Sequence, residues 1–149
     1  MHTVYSYYIQ LFDRQRNPSE PALLLNLTDL SDEPLHGQMS RQIRSHVLSG
    51  RLKPGAALPS IRSMARDHRV SVITVQRAYD DLEREGLLRS RRGKGVFVAE
   101  LPPGGRRAMA SEKAHAALSD AIEAALADGL GVDQIEALVA QILTTGGDG

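Results

Sequence analysis

Residues 58–98 constrain the fold more than any other stretch of this chain; they read LPSIRSMARDHRVSVITVQRAYDDLEREGLLRSRRGKGVFV. Ser60 follows Pro59 and suits the N-cap of a helix over residues 61–68, with Ile61, Met64 and Ala65 facing inward. Arg69 and Val70 make a turn. Ser71 caps a further helix whose inward face is Val75, Ala78, Tyr79 and Leu82, and Gly86 stops it. Leu87 and Leu88 begin a strand, residues 91–95 turn it, and Val96, Phe97 and Val98 return. Gly93 and Gly95 supply the positive φ that a tight hairpin needs. Helix, short turn, helix and basic hairpin in that order make a winged helix-turn-helix, an arrangement whose second helix and wing are shaped to meet a duplex.

The flanks extend this unit. Leu35, Met39, Ile43 and Val47 recur every four residues and predict a preceding helix, ended by Ser49 and Gly50. Residues 51–59 read as a loop fixed by Pro54, Gly55 and Pro59, with Leu52 and Leu58 as its anchors to the core. Upstream, residues 23–27 read as a short strand after a break at 17–21, and the apolar and aromatic residues of 4–12 suit packing on the domain or on a partner. Downstream, Pro102, Pro103, Gly104 and Gly105 read as a linker. A long helix is expected over 107–128 with Leu118, Ile122, Ala125 and Leu126 on one face, then Gly129 and Gly131, then a helix over 132–143 with Ile135, Leu138, Val139 and Ile142 apolar. Two short amphipathic helices bury no core alone; they need the basic domain or a second copy of themselves. The expected fold class is mainly α with a small β-wing. It divides into an N-terminal extension (1–33), the winged helix-turn-helix (34–101), a linker (102–106), a helical module (107–145) and a frayed tail (146–149).

The formal net charge of zero hides a segregation. Residues 1–34 sum to −3, residues 35–99 carry thirteen Lys or Arg against five acids for +8, and residues 100–149 sum to −5. A basic module between acidic flanks points to a polyanion partner. The chain has no cysteine, which excludes disulfides, thiol catalysis and thiolate zinc sites and fits a reducing cytoplasm. No apolar run approaches a membrane span and the N-terminus lacks a signal pattern, so a cytoplasmic protein is expected. His2, His36, His46, His68 and His115 are scattered without ligand spacing, so no metal, cofactor or catalytic site is expected.

These residues resemble the DNA-binding domain of GntR-family bacterial transcription regulators. The resemblance rests on Gly50-Arg51-Leu52-Lys53-Pro54-Gly55, Leu58-Pro59-Ser60 with Arg62, and Glu83 with Glu85-Gly86-Leu87, all within residues 34–99. Thr74-Val75, Arg77-Ala78-Tyr79 and the short two-helix tail are similar to the YtrA-type subgroup. That resemblance implies that the tail is a dimerisation module, with Leu118, Ile122, Leu126, Ile135, Leu138 and Ile142 as its contacts. The tail has too few residues for the metal or acyl-ligand pockets of larger relatives, and the sequence identifies no effector. The chain also departs from the pattern: Ile61 stands where an acid usually precedes the family arginine. Val72 and Ile73 stand where relatives carry a polar or basic residue, which leaves methyl contacts, for example to a thymine methyl, in place of a base hydrogen bond.

Each candidate DNA contact has an ordinary structural alternative. The resemblance puts Arg62 against DNA, where a guanidinium can grip guanine or phosphate; its alternative is a solvated arginine. Ser71 and Thr74, with Val72 between them, sit where free N–H groups and the positive helix end attract phosphate, and capping is the alternative. Gln76 suits adenine. Arg77 has two readings, a phosphate contact or a pair with Asp80 or Asp81. Arg91, Arg92 and Lys94 around Gly93 would repel one another without an anion nearby, which favours DNA phosphates or the minor groove. The expected function is a sequence-specific, dimeric transcriptional regulator, a repressor on an inverted-repeat operator in double-stranded DNA. The competing reading is a winged helix that binds another protein. An enzyme is not expected, because no nucleophile–base pair or cofactor lysine constellation is present.

Overall fold

The computed structural model describes residues 21–146, and the apolar stretch at 4–12, the start of the break at 17–21 and the last three tail residues lie outside them. The chain divides at Arg106 into two compact units. The first contains helix α1 (Leu35–Leu48), helix α2 (Ile61–His68), helix α3 (Val72–Arg84) and strands β1 (Leu88–Arg91) and β2 (Gly95–Val98). Helix α4 (Gly105–Ala127) and helix α5 (Val132–Gly146) follow.

Each helix of the first unit forms for local reasons. Ser60 Oγ accepts the Ser63 N–H at 3.1 Å and caps α2; Ser71 Oγ accepts the Thr74 N–H at 3.0 Å and caps α3. Met39, Ile43 and Val47 of α1, Met64 of α2, and Val75, Ala78 and Leu82 of α3 are fully or almost fully buried. Helix α3 is the centre of the unit, packing on α1, α2 and β1. Ile61 is only half-buried, and Ser63 lies inside in addition to Met64 and Ala65.

Side-chain ties lock these elements to one another. The Tyr79 hydroxyl donates to the Pro59 carbonyl oxygen at 2.8 Å, joining α3 to the loop before α2, and burial pushes its pKa up. The two carboxylate oxygens of Glu83 accept the Ser90 N–H and hydroxyl, both at 3.0 Å, joining the end of α3 to β1. Arg44 grips Glu85 through two nitrogens, joining α1 to the end of α3; the hydrogen bonds to Glu85 raise the arginine pKa. Glu83 and Glu85 therefore hold the wing and α1 at the point where Gly86 ends the helix. Replacing Tyr79 with Phe is expected to leave the Pro59 carbonyl unsatisfied and cost about 1–2 kcal/mol, seen as a lower urea midpoint with an unchanged slope.

The wing is wider than the hairpin expected from the sequence. Strands β1 and β2 pair antiparallel, Leu88 opposite Val98 and Arg91 opposite Gly95. Residues 55–58, expected as loop, add a third edge to β2: Gly55 N–H donates to Val98 O, Val98 N–H to Ala56 O and Leu58 N–H to Val96 O, at 2.8–2.9 Å.

Residues 23–27 are a correction. Their exposure alternates but they form no strand, because side-chain amides take the place of a neighbouring strand. Gln42 exchanges two hydrogen bonds with the backbone of Asn26 at 2.7 and 2.8 Å. Buried Gln38 accepts the Thr28 N–H and donates to the Thr28 and Glu33 carbonyls. His68 Nε2 accepts the Leu25 N–H at 3.0 Å, with Nδ1 donating to Met64 O at 3.1 Å.

The helices of the second unit are longer than expected. Helix α4 begins at Gly105 rather than 107, so the last residues of the expected linker are helical, and α5 reaches Gly146 rather than 143. The Leu130 N–H donates to Ala125 O, and Gln134 Oε1 accepts the Gly131 N–H at 2.8 Å as α5 starts. Ile135 is buried, whereas Leu118, Ile122, Leu126, Leu138 and Ile142 are all exposed. No helix among the described residues is long and apolar enough to cross a membrane.

Candidate nucleic-acid interface

Arg62 stands in the first turn of α2, exposed, one residue after the helix opens. Helix α2 ends at Arg69, which takes the left-handed conformation at φ 53°, and the Val70 N–H bonds back to Ala65 O at 3.0 Å. A non-glycine residue in that region costs about 1–2 kcal/mol, and the turn it makes sets the direction in which α3 leaves.

Helix α3 presents its first turns to solvent. Ser71 and Thr74 come together, their hydroxyl oxygens 2.8 Å apart, so the cap bond is doubled by a side-chain bond. Val72 and Ile73 are 51 % and 72 % exposed. Gln76 Nε2 donates to Asp80 Oδ1 at 2.8 Å, which fixes the amide plane. Arg77 makes neither of the pairs open to it on sequence: Asp80 is taken by Gln76, and Asp81 lies 3.3 Å from Arg84.

The wing sorts its residues by strand alternation. Leu88, Ser90, Val96 and Val98 share the inward face, where Leu88 and Val98 are buried. Arg89, Arg91 and Phe97 share the other, with the Arg91 guanidinium 5.4 Å from the Phe97 ring centre. The turn closes through the Lys94 N–H to Arg91 O at 2.9 Å, and Gly93 holds φ 72°. Arg92 and Lys94 are exposed at the tip.

A difference in pairing runs through the first unit. Arg41, Arg44, Arg66 and Arg84 each meet a carboxylate. Among the described residues, Arg62, Arg77, Arg92 and Lys94 form no ion pair. Sequence reasoning did not single out Arg89, which strand alternation places beside Arg91, and it weighed Asp80 only against Arg77, although its spacing of four from Gln76 is the signal that could have found the bond between those two. No group of three potential metal ligands occurs among the described residues.

The family described as bacterial regulatory proteins, gntR family, matches residues 35–98, which run from the start of α1 to the end of β2. The HTH-type transcriptional regulator YhcF of Bacillus subtilis is 41% identical over 70 residues, covering 47% of this chain and 58% of that protein. The HTH-type transcriptional repressor YtrA of the same organism is 35% identical over 77 residues, covering 52% and 59%. The structure of YtrA from Sulfolobus acidocaldarius, a GntR-family transcription factor, superposes with a TM-score of 0.52 at 30% identity, over 65% of this chain and 99% of that one. The chain thus spans less than two thirds of the two Bacillus relatives and nearly all of the Sulfolobus structure. With its motifs seated at the capped helices, the Glu83 and Glu85 ties and the wing, this chain belongs to the GntR family, with YtrA proteins among those it resembles.

Proposed function

We propose that the chain is a sequence-specific DNA-binding transcriptional regulator that acts as a homodimeric repressor on an inverted-repeat operator. The observation that carries this reading is the set of unpaired cations Arg62, Arg77, Arg92 and Lys94, held on the start of α2, the exposed face of α3 and the wing. Cations held without partners suit an anion from outside, and helices with a basic wing suit the two grooves of a duplex. Arg62 reads guanine or clamps phosphate at the mouth of α2. The free N–H groups after Ser71, with Thr74, receive a phosphate at the positive end of α3, and Val72 meets bases beside them. Gln76, its amide plane set by Asp80, reads adenine, and Arg77 takes a phosphate. Arg91, Arg92 and Lys94 follow the backbone into the minor groove, with Gly93 keeping the tip narrow.

The second unit supports the dimer. Leu118, Ile122, Leu126, Leu138 and Ile142 expose apolar area that one pair of helices leaves in water, and a second copy across a two-fold axis would cover it around the buried Ile135. Repression agrees with the name of the Bacillus YtrA relative.

The test begins with duplexes selected from a random pool by the purified protein. Competition between the selected duplex and random DNA is expected to show Arg62→Ala losing about ten- to a hundredfold in discrimination, from a base contact worth about 1–3 kcal/mol. Lys94→Ala weakens both duplexes alike, because phosphate carries no sequence information. Selection that enriches no sequence would overturn the reading.

A further inference from the structure

The first turn of α3 holds its polar groups and its apolar groups in opposite conditions. The Ser71 and Thr74 hydroxyls are bonded to each other, and the Gln76 amide is held by Asp80. Val72 and Ile73, in contrast, are 51 % and 72 % exposed. Neither helix formation nor stability asks for them there: β-branched residues lose χ1 freedom against a helical turn, and these two bury little in return. Helical spacing puts Ile73 one turn before Gln76 and Arg77, on the face opposite Val75, Ala78, Tyr79 and Leu82. An apolar pair at the tip of a helix in a +8 segment is placed to meet a partner inside a polyanion's groove.

One apolar group stands on the major-groove edge of the bases, the C5-methyl of thymine. Cytosine methylated at C5 carries the same methyl at the same ring position. We propose that Val72 and Ile73 form a reader of pyrimidine C5-methyl groups, so that each operator half-site carries a methyl-bearing pyrimidine under the start of α3. This rests on the DNA-binding reading above and adds the chemistry by which part of the sequence is chosen. A methyl contact has no hydrogen-bond pattern of its own; it distinguishes thymine from uracil, and methylated from plain cytosine, where every donor and acceptor is unchanged.

The experiment uses the full chain and the duplex selected from a random pool. Thymines of each half-site are replaced one at a time by deoxyuridine, which removes only the methyl, and affinity is followed by fluorescence anisotropy. One or two positions per half-site are expected to weaken binding about three- to tenfold, the scale of one buried methyl-sized group. At the same positions a C·G pair binds weakly, and 5-methylcytosine in place of its cytosine recovers a severalfold gain. If deoxyuridine weakens binding and 5-methylcytosine gives no gain, the reader takes thymine alone and the methylated-cytosine arm is overturned. Ile73→Ala, at an exposed position where the fold has little to lose, lowers affinity for the thymine duplex and shrinks the deoxyuridine effect. Selected half-sites without thymine, deoxyuridine silent at every position, or an unchanged deoxyuridine effect in Ile73→Ala would each overturn the proposal while leaving DNA binding intact. Selection that recovers no duplex at all would instead overturn the DNA-binding reading and take this proposal with it.

Discussion

A chain stopped after Ala99 is expected to fold, to sediment as a monomer and to lose about 10²- to 10⁴-fold in operator affinity while keeping weak general DNA binding. The Ala99 N–H donates to Leu87 O at 2.9 Å, so this cut falls just beyond the wing's hydrogen bonds and leaves every tie of the helices and wing in place. The lost affinity is avidity: two linked half-site readers see each other's half-site at high effective concentration, and unlinking them removes that gain without touching a DNA contact. Sedimentation gives the assembly state, and titration of the operator against a single half-site gives the affinity. Full-length and shortened chains should bind the isolated half-site alike. If the shortened chain still dimerises, the apolar stretch at 4–12 becomes the interface and the exposed leucines and isoleucines of α4 and α5 need another partner.

Operator affinity is expected to fall on the order of a thousandfold between about 50 mM and 200 mM salt. Each cation that neutralises a phosphate releases a condensed counterion, and about six to eight such contacts per dimer give this slope. Arg62, Arg77, Arg92 and Lys94 supply four unpaired cations per chain, with Arg89 and Arg91 beside them on the wing. Titration at several salt concentrations measures the slope, and Lys94→Ala should reduce it by about two per dimer, one contact in each half-site. An affinity flat in salt would mean that these cations do not meet phosphate, and would favour a protein partner for the wing.

The parts of this fold that follow rules within four or five residues were legible in the sequence. Ser60 and Ser71 precede apolar periodicity and cap as expected; Gly86 ends α3, and the RRGKG run turns the wing. What was not legible depends on partners far along the chain. Gln38 and Gln42 look like ordinary polar positions of an amphipathic helix until Asn26 and Thr28 lie beside them. The alternation in 23–27 was read as a short strand, but a strand needs a strand for a neighbour, and here the hydrogen bonds go to glutamine amides and to His68. Pro54 and Pro59 made 51–59 read as loop, although the N–H groups of Gly55 and Leu58 between them remain free to join β2. The same limit applies to the site. The residue types of Arg62, Gln76 and Lys94 nominate them for DNA on sequence, but that Arg77 pairs with neither Asp80 nor Asp81 became visible only once those two carboxylates had been assigned to Gln76 and Arg84.

The ladder between residues 55–58 and β2 has a mechanical consequence. Leu58 bonds to the wing through its N–H, Pro59 accepts the Tyr79 hydroxyl of α3, and Ser60 caps the helix that carries Arg62. Three successive residues thus bolt together the parts that would enter the major and the minor groove, and Glu83 adds a second bolt through Ser90. A reading head so braced has little give of its own. If these parts enter the two grooves as proposed, a site whose groove spacing does not match the head would take the strain in the duplex, by twisting or bending. Base pairs lying between the contacts, touched by no side chain, would then be selected for how readily they deform.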